Sequence, residues 1–173
     1  MIRKKKGFLR PRRLYEKARI AEENALALKY ALKSKREIWK TLAKVKYFRK
    51  RAMELAKKPR EEQQVLFNKL NALGLKVNSI ADILDLKLEN ILERRLPTIV
   101  ANKNLANTPQ HARQMTAHKK VLVDGKVINS PSYLVSVAEE NKITVKKGIA
   151  KPKKAKEEEK TEDVKELEGE ENA

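Results

Sequence analysis

The residues best suited to chemistry in this chain are cations and their polar neighbours, gathered in short groups. Arg94-Arg95, Arg113-Gln114 and His118-Lys119-Lys120 follow one another within a single stretch. Arginine suits phosphate because its planar fork donates two parallel hydrogen bonds to one group. Gln114 and His118 can hydrogen-bond a phosphate, a ribose 2′-OH or a base edge. Upstream, Arg36, Lys40, Lys44, Arg51 and Lys58 lie four or seven apart, which places them along one side of a helix. Like charges four apart cost a helix a few tenths of a kcal/mol each, about 0.2–0.5. Almost no acid offsets them, so the stripe is expected to face an anionic ligand. Arg12 and Arg13 close a basic arm over residues 1–13 that holds seven cations.

Catalytic chemistry finds little support. There is no Cys, which removes disulfides, thiol nucleophiles, Cys-ligated zinc and iron–sulfur clusters. With only His111 and His118, a zinc site would need carboxylates to complete it. No Gly-rich phosphate loop and no nucleophile–base pair is present. Asp82 and Asp85 stand three apart on a short helical stretch and are expected to be helix-terminal or surface acids. No enzyme, no cofactor, no metal and no small-molecule substrate is therefore expected.

The charge balance points the same way. The 173 residues include 41 Lys or Arg and 23 Asp or Glu, a net charge of +18. Residues 1–60 alone hold 22 basic and 5 acidic side chains, whereas residues 151–173 hold 6 and 9. Positive charge clustered in one region is the footprint of a polyanion partner, most often nucleic acid. An anionic membrane surface is the rival, but it needs an amphipathic helix with an exposed bulky face. The apolar faces here are better used in a core, so no membrane partner is expected. No run reaches the roughly 20 apolar residues of a membrane span, and Met1-Ile2-Arg3-Lys4-Lys5-Lys6 has no apolar stretch behind it. A cytoplasmic protein is expected.

Those cations must be positioned by an ordered sequence of elements. Gly7 and Pro11 discourage regular structure in the arm. A helix is predicted from about Leu14 to Leu32. Ser34 with Glu37 predicts a capping box opening a second helix to about Lys57. Its apolar stripe is expected to be Ile38, Leu42, Val45, Ala52 and Leu55. A third helix opens near Pro59 and stops at Gly74. Short helical pieces are predicted at Ser79–Leu84 and Leu88–Arg94. Pro97 predicts a break at Leu96 and a helix to about Lys103, with Asn104 taking a left-handed cap. Thr108-Pro109 reads as N-cap and first helical residue of the next helix. The period then changes: Val121-Leu122-Val123, Asp124-Gly125 and Lys126-Val127-Ile128 predict a two-residue hairpin. Tyr133–Val137 and Lys142–Lys146 look extended. From Gly148 the Lys/Glu-rich composition predicts disorder. The fold class is α+β: an arm at residues 1–13, a helical RNA-binding domain at 14–93, a compact module at 94–147 and a tail at 148–173.

Within that module, Ile91-Leu92-Glu93-Arg94-Arg95-Leu96, Ala112-Arg113-Gln114, His118-Lys119, Val123-Asp124-Gly125 and Ser130-Pro131-Ser132-Tyr133 together resemble the αL RNA-binding motif. With Ser34-Lys35-Arg36-Glu37-Ile38-Trp39-Lys40 upstream, the chain is similar to the archaeal type of the small-subunit ribosomal protein four family over about residues 14–147. The resemblance implies a primary binder of small-subunit (16S) ribosomal RNA at a 5′-domain helical junction. It also implies roles in subunit assembly and translational accuracy, and small-subunit protein five as a neighbour. By motif match it adds Ser132 and Tyr133 to Arg94, Arg95, Arg113, Gln114, His118 and Lys119 as RNA-facing residues. Two alternatives stay open: a general RNA-binding chaperone, and an RNA-modifying enzyme that uses an αL module for targeting.

Overall fold

The computed structural model describes residues 7–146; the first six residues of the basic arm and the tail expected to be disordered lie outside them. Residues 7–16 are irregular, and α1 (Lys17–Lys29) is three residues shorter at each end than the helix expected from about Leu14 to Leu32. Ala31, at a positive φ of 50°, turns the chain into α2 (Lys35–Leu55), the longest helix described. Ile38, Thr41, Val45, Phe48, Ala52 and Leu55 form its buried side. Leu42, expected in that stripe, is instead 40% exposed, and Phe48 is buried in its place. The buried line therefore steps by three as well as four, as a 3.6-residue repeat requires.

Helix α3 (Arg60–Ala72) returns against α2, and Gln63 Nε2 donates to the carbonyls of Leu55, the last residue of α2, and of Lys58 just beyond it. It stops at Gly74, whose φ of 78° is the left-handed value that a chain leaving a helix needs. Asn71 then clasps the following loop, donating to Val77 C=O at 3.0 Å and accepting from Val77 N–H at 2.7 Å. Ser79 and Asp82 form a capping box at α4 (Ile80–Leu84), so Asp82 is a helix-terminal acid as expected. Helix α5 (Leu88–Glu93) completes this region. Arg49 of α2 donates to Leu86 C=O at 2.9 Å between α4 and α5. Val45, Ala52, Leu70, Val77, Ile83 and Ile91 are at the centre of its core.

A second apolar cluster starts at Leu96. Helix α6 (Leu96–Asn102) opens with Arg95 as an extended N-cap, so the break imposed by Pro97 falls one residue earlier than expected. Asn104 takes the left-handed conformation at φ 55°. Thr108 caps α7 (Pro109–Ala117), its hydroxyl accepting from His111 N–H at 3.1 Å. Strands β1 (Val121–Val123) and β2 (Lys126–Val127) pair antiparallel around Asp124 and Gly125, both at positive φ, the two-residue turn that the dipeptide predicts. β3 (Ile143–Val145) pairs on the other side of β1, giving the order β2-β1-β3. Val121, Val123 and Ile143 turn inward onto Leu96, Val100, Ala112 and Met115.

One expectation fails here. Tyr133–Val137 is not a strand; only Leu134 makes a bridge, to Arg95. Val137–Glu140 is a helical turn, α8, opened by a capping box between Ser136 and Glu139. The Ser136 N–H donating to Glu139 Oε2 at 3.0 Å, with Glu139 N–H donating back to Ser136 C=O, overrides the β preference of the preceding Leu-Val. The fold is thus mostly helical with one small sheet.

Candidate nucleic-acid interface

Glu37 decides how the two apolar clusters are joined. Ser34 is the N-cap of α2, but its side chain makes no capping bond, so the predicted box does not form. The Glu37 carboxylate instead reaches across the molecule. Arg95 Nη2 donates to Oε2 at 2.5 Å, and Arg113 donates through Nη2 to Oε1 at 2.6 Å and through Nη1 to Oε2 at 3.1 Å. Arg113 Nη1 also donates to Ala31 C=O at 3.2 Å, which holds the corner before α2. Burial pushes the Glu37 carboxyl up, but the hydrogen bonds from Arg113 and Arg95 outweigh it and leave its pKa below the ordinary value. A shared carboxylate between two guanidiniums fixes α2 against both α6 and α7.

This bond uses up the two arginine forks that sequence reasoning aimed outward. Arg95 is only 4% exposed and Arg113 is half-buried. Arg94 is similarly occupied. Nη1 donates to Glu140 at 2.8 Å and Nη2 to Val135 C=O at 3.1 Å, while its guanidinium lies over Gly74. Most of the fork chemistry expected for ligand thus joins parts of the protein.

Two donors of these arginines are left over, Arg94 Nε and Arg95 Nη1. Both are buried and have no hydrogen-bond partner. Arg95 lines a cleft of about 100 Å³ together with Lys40, Lys44, Glu37 and Ser132. Lys40 and Lys44 rise from α2 on one wall, and Ser132 is on the other. Among the described residues neither lysine has an acidic partner. Desolvation, then the nearby Arg95 charge, holds the Lys44 ammonium below its ordinary pKa. One carboxylate, already shared by two arginines, faces a third and fourth cation. An orphaned buried N–H costs about 1–3 kcal/mol, and an anion with several acceptor oxygens would relieve both the orphan and the repulsion.

The remaining predicted residues fall into separate places. Arg36 is exposed on α2 beside the cleft lysines, with no acidic partner among the described residues. Arg51 is also exposed but lies 3.5 Å from Glu54, and Lys58 lies 2.7 Å from Glu62. Arg12 and Arg13 are exposed in the irregular arm. Gln114, His118 and Lys120 meet around a hollow of about 390 Å³ that also holds His111 and Met115, away from the Glu37 cleft. Lys119 is exposed at a left-handed φ of 59°. Ser132 is exposed, whereas the Tyr133 hydroxyl donates to Glu139 at 2.7 Å, so its proton is engaged locally. Sequence reasoning missed Glu37 as the organiser. A signal was present: it is the only acid between Glu23 and Glu54. Among the described residues, no group of three metal-ligating side chains is placed to hold an ion, and no helix is long and apolar enough to cross a membrane.

Comparison with known proteins bears on what this surface serves. The S4 domain family matches residues 94–141, which begin at Arg94 and end just after α8. A small ribosomal subunit protein uS4 of Methanococcus aeolicus is 44% identical over 133 residues, covering 73% of this chain and 75% of its own. The uS4 protein of Korarchaeum cryptofilum is 40% identical over 148 residues, covering 82% and 89%. That of Methanosphaerula palustris is 37% identical over 150 residues, covering 80% and 83%.

Proposed function

Because the chain belongs to the small ribosomal subunit protein uS4 family, we propose that it is a constituent of the cytoplasmic small ribosomal subunit that binds 16S ribosomal RNA through α2 and the S4 domain together. It is a structural protein, not an enzyme. The contact surface runs from Arg12 and Arg13 along Arg36, Lys40, Lys44 and Arg51 to the cleft, with Gln114, His118, Lys119 and Lys120 as a second patch. Arg94, Arg113 and Tyr133 hold that surface in place, and Arg95 both holds it and offers its remaining donor with Ser132.

The observation that carries this is the unpartnered Arg95 Nη1 inside a cleft walled by Lys40 and Lys44. A backbone phosphate supplies acceptors to all three, and the release of condensed counterions adds affinity. Fit to a folded junction, rather than base reading in a groove, supplies preference, because the deep narrow major groove of A-form RNA excludes side chains. In that role the chain docks early at a 5′-domain junction, lies beside small-subunit protein five, and supports subunit assembly and translational accuracy. Support for these last points is the motif resemblance alone.

Competition at moderate salt tests the specific part. A 5′-domain fragment of small-subunit RNA should displace the bound complex at lower concentration than an equal mass of unrelated structured RNA. Equal displacement by both would overturn specific recognition and leave a general RNA binder or chaperone.

A further inference from the structure

A third concavity lies at the N-terminal end of α2, where the arm passes over the start of that helix. Phe8 and Trp39 face each other there with ring centroids 6.1 Å apart and planes tilted by 34°, which is not a stacked pair. The opening beside them has a volume of about 750 Å³ and is flanked by Arg10, Ser34, Lys35 and Arg36. Pockets of roughly 300–1,000 Å³ take small ligands.

Three features distinguish it from an incidental dent. The Trp39 ring is held in position, because its Nε1 donates to the buried Glu23 at 2.9 Å. Its polar edge is therefore satisfied inside the protein, and what it offers the cavity is an apolar ring surface. The Ser34 hydroxyl, at the N-cap of α2, has no capping bond and stays free to pair with a ligand. Arg10 and Arg36 are exposed and have no acidic partner among the described residues. Lys35 is partly engaged, 3.7 Å from Glu23.

We propose that this aromatic wedge is a stacking site for one unpaired nucleobase of single-stranded RNA, with the flanking phosphates on Arg10 and Arg36. The proposal rests on the RNA-binding reading above and names a separate point of contact within it. Aromatic surface beside cations suits a nucleotide, because every base has a π-face and every nucleotide carries a negative phosphate. Such a contact tolerates any base, because stacking uses the π-face that all bases share. Phe8 belongs to the irregular arm and can adjust to the inserted ring, while Trp39 stays fixed by Glu23.

The chain has a single Trp, so Trp39 emission reports the site directly. Full-length protein is titrated with oligoadenylate, and with an abasic ribose-phosphate oligomer of the same length. Oligoadenylate should quench Trp39 emission; the abasic strand should bind more weakly and leave emission unchanged. Phe8→Ala should weaken oligoadenylate binding by roughly 5- to 150-fold, the equivalent of one lost stack, and Phe8→Tyr should restore it. Equal quenching by the abasic strand, or parental affinity in Phe8→Ala, would overturn the wedge. The competition between 5′-domain and unrelated RNA, run on the same samples, separates this outcome from failure of the RNA-binding reading itself.

Discussion

Helix α2 and the S4 domain are both rich in cations, yet they use them in opposite ways. On α2, Arg36, Lys40 and Lys44 stand exposed with no acidic partner among the described residues. In the S4 domain, Arg94, Arg95 and Arg113 are turned onto Glu140, a backbone carbonyl and Glu37. Exposed unpaired cations raise the electrostatic free energy of the folded chain and lower it again when a polyanion arrives. Paired, buried arginines instead join parts of the protein, and among these three Arg95 keeps a donor for the cleft it shares with Lys40 and Lys44. Residue type alone therefore does not identify a contact. What each guanidinium already touches does.

The largest effect that would break this contrast is at Glu37. Glu37→Ala leaves Arg95 buried and unpaired, and removing one partner of a buried pair costs about 3–5 kcal/mol. Chemical denaturation should show that loss, and a change within experimental error would mean the clamp is not holding the two clusters. Glu37→Gln, which keeps an acceptor oxygen, should lose less.

Next in size is the approach of Arg94 to the end of α3. A Cβ at Gly74 would lie 2.8 Å from Arg94 Cζ, at a φ of 78°. Gly74→Ala should cost about 1–2 kcal/mol from the left-handed backbone alone, with more from displacing Arg94 off Glu140. Thermal unfolding measures it, and a cost no larger than an ordinary surface substitution would show that the guanidinium is not packed there.

A smaller effect sharpens the comparison through pH. The Glu37 carboxyl titrates below its ordinary value, as does Glu23. Their stabilisation is fully present at neutral pH and is lost as pH falls below about 4.3 and through the lower folded values. The parent should therefore lose stability on acidification across that window. Glu37→Gln should be less stable at neutral pH but flatter in acid, keeping the part that Glu23 supplies. Parallel pH curves for the two proteins would remove Glu37 from the account.

How much of this could be read from residues alone depended on the range of the interaction. Ser79 with Asp82, Thr108 with Pro109, Asp124-Gly125, Gly74 and Asn104 each did what their local chemistry predicts, since every partner lies within a few residues. Ser136-Val137-Ala138-Glu139 carries the same local signature, but in the sequence the extended preference of the flanking Leu134-Val135 masks it. Glu37 shows the limit. Its spacing from Ser34 fits a capping box, but partners 58 and 76 residues away hold its carboxylate more strongly than one backbone N–H can. The candidate site divided along the same line. The α2 stripe was visible as spacing, whereas the cleft against Arg95 and Ser132 exists only once the two clusters are packed together.

The most direct measurement is the salt dependence of affinity for small-subunit RNA, comparing the parent with the triple variant Arg36→Ala/Lys40→Ala/Lys44→Ala. Each lost phosphate contact should flatten the slope of log affinity against log salt by about 0.7–0.9, so the triple variant should be shallower by roughly 2–3 while keeping the parent's stability. A slope equal to the parent's would contradict the account.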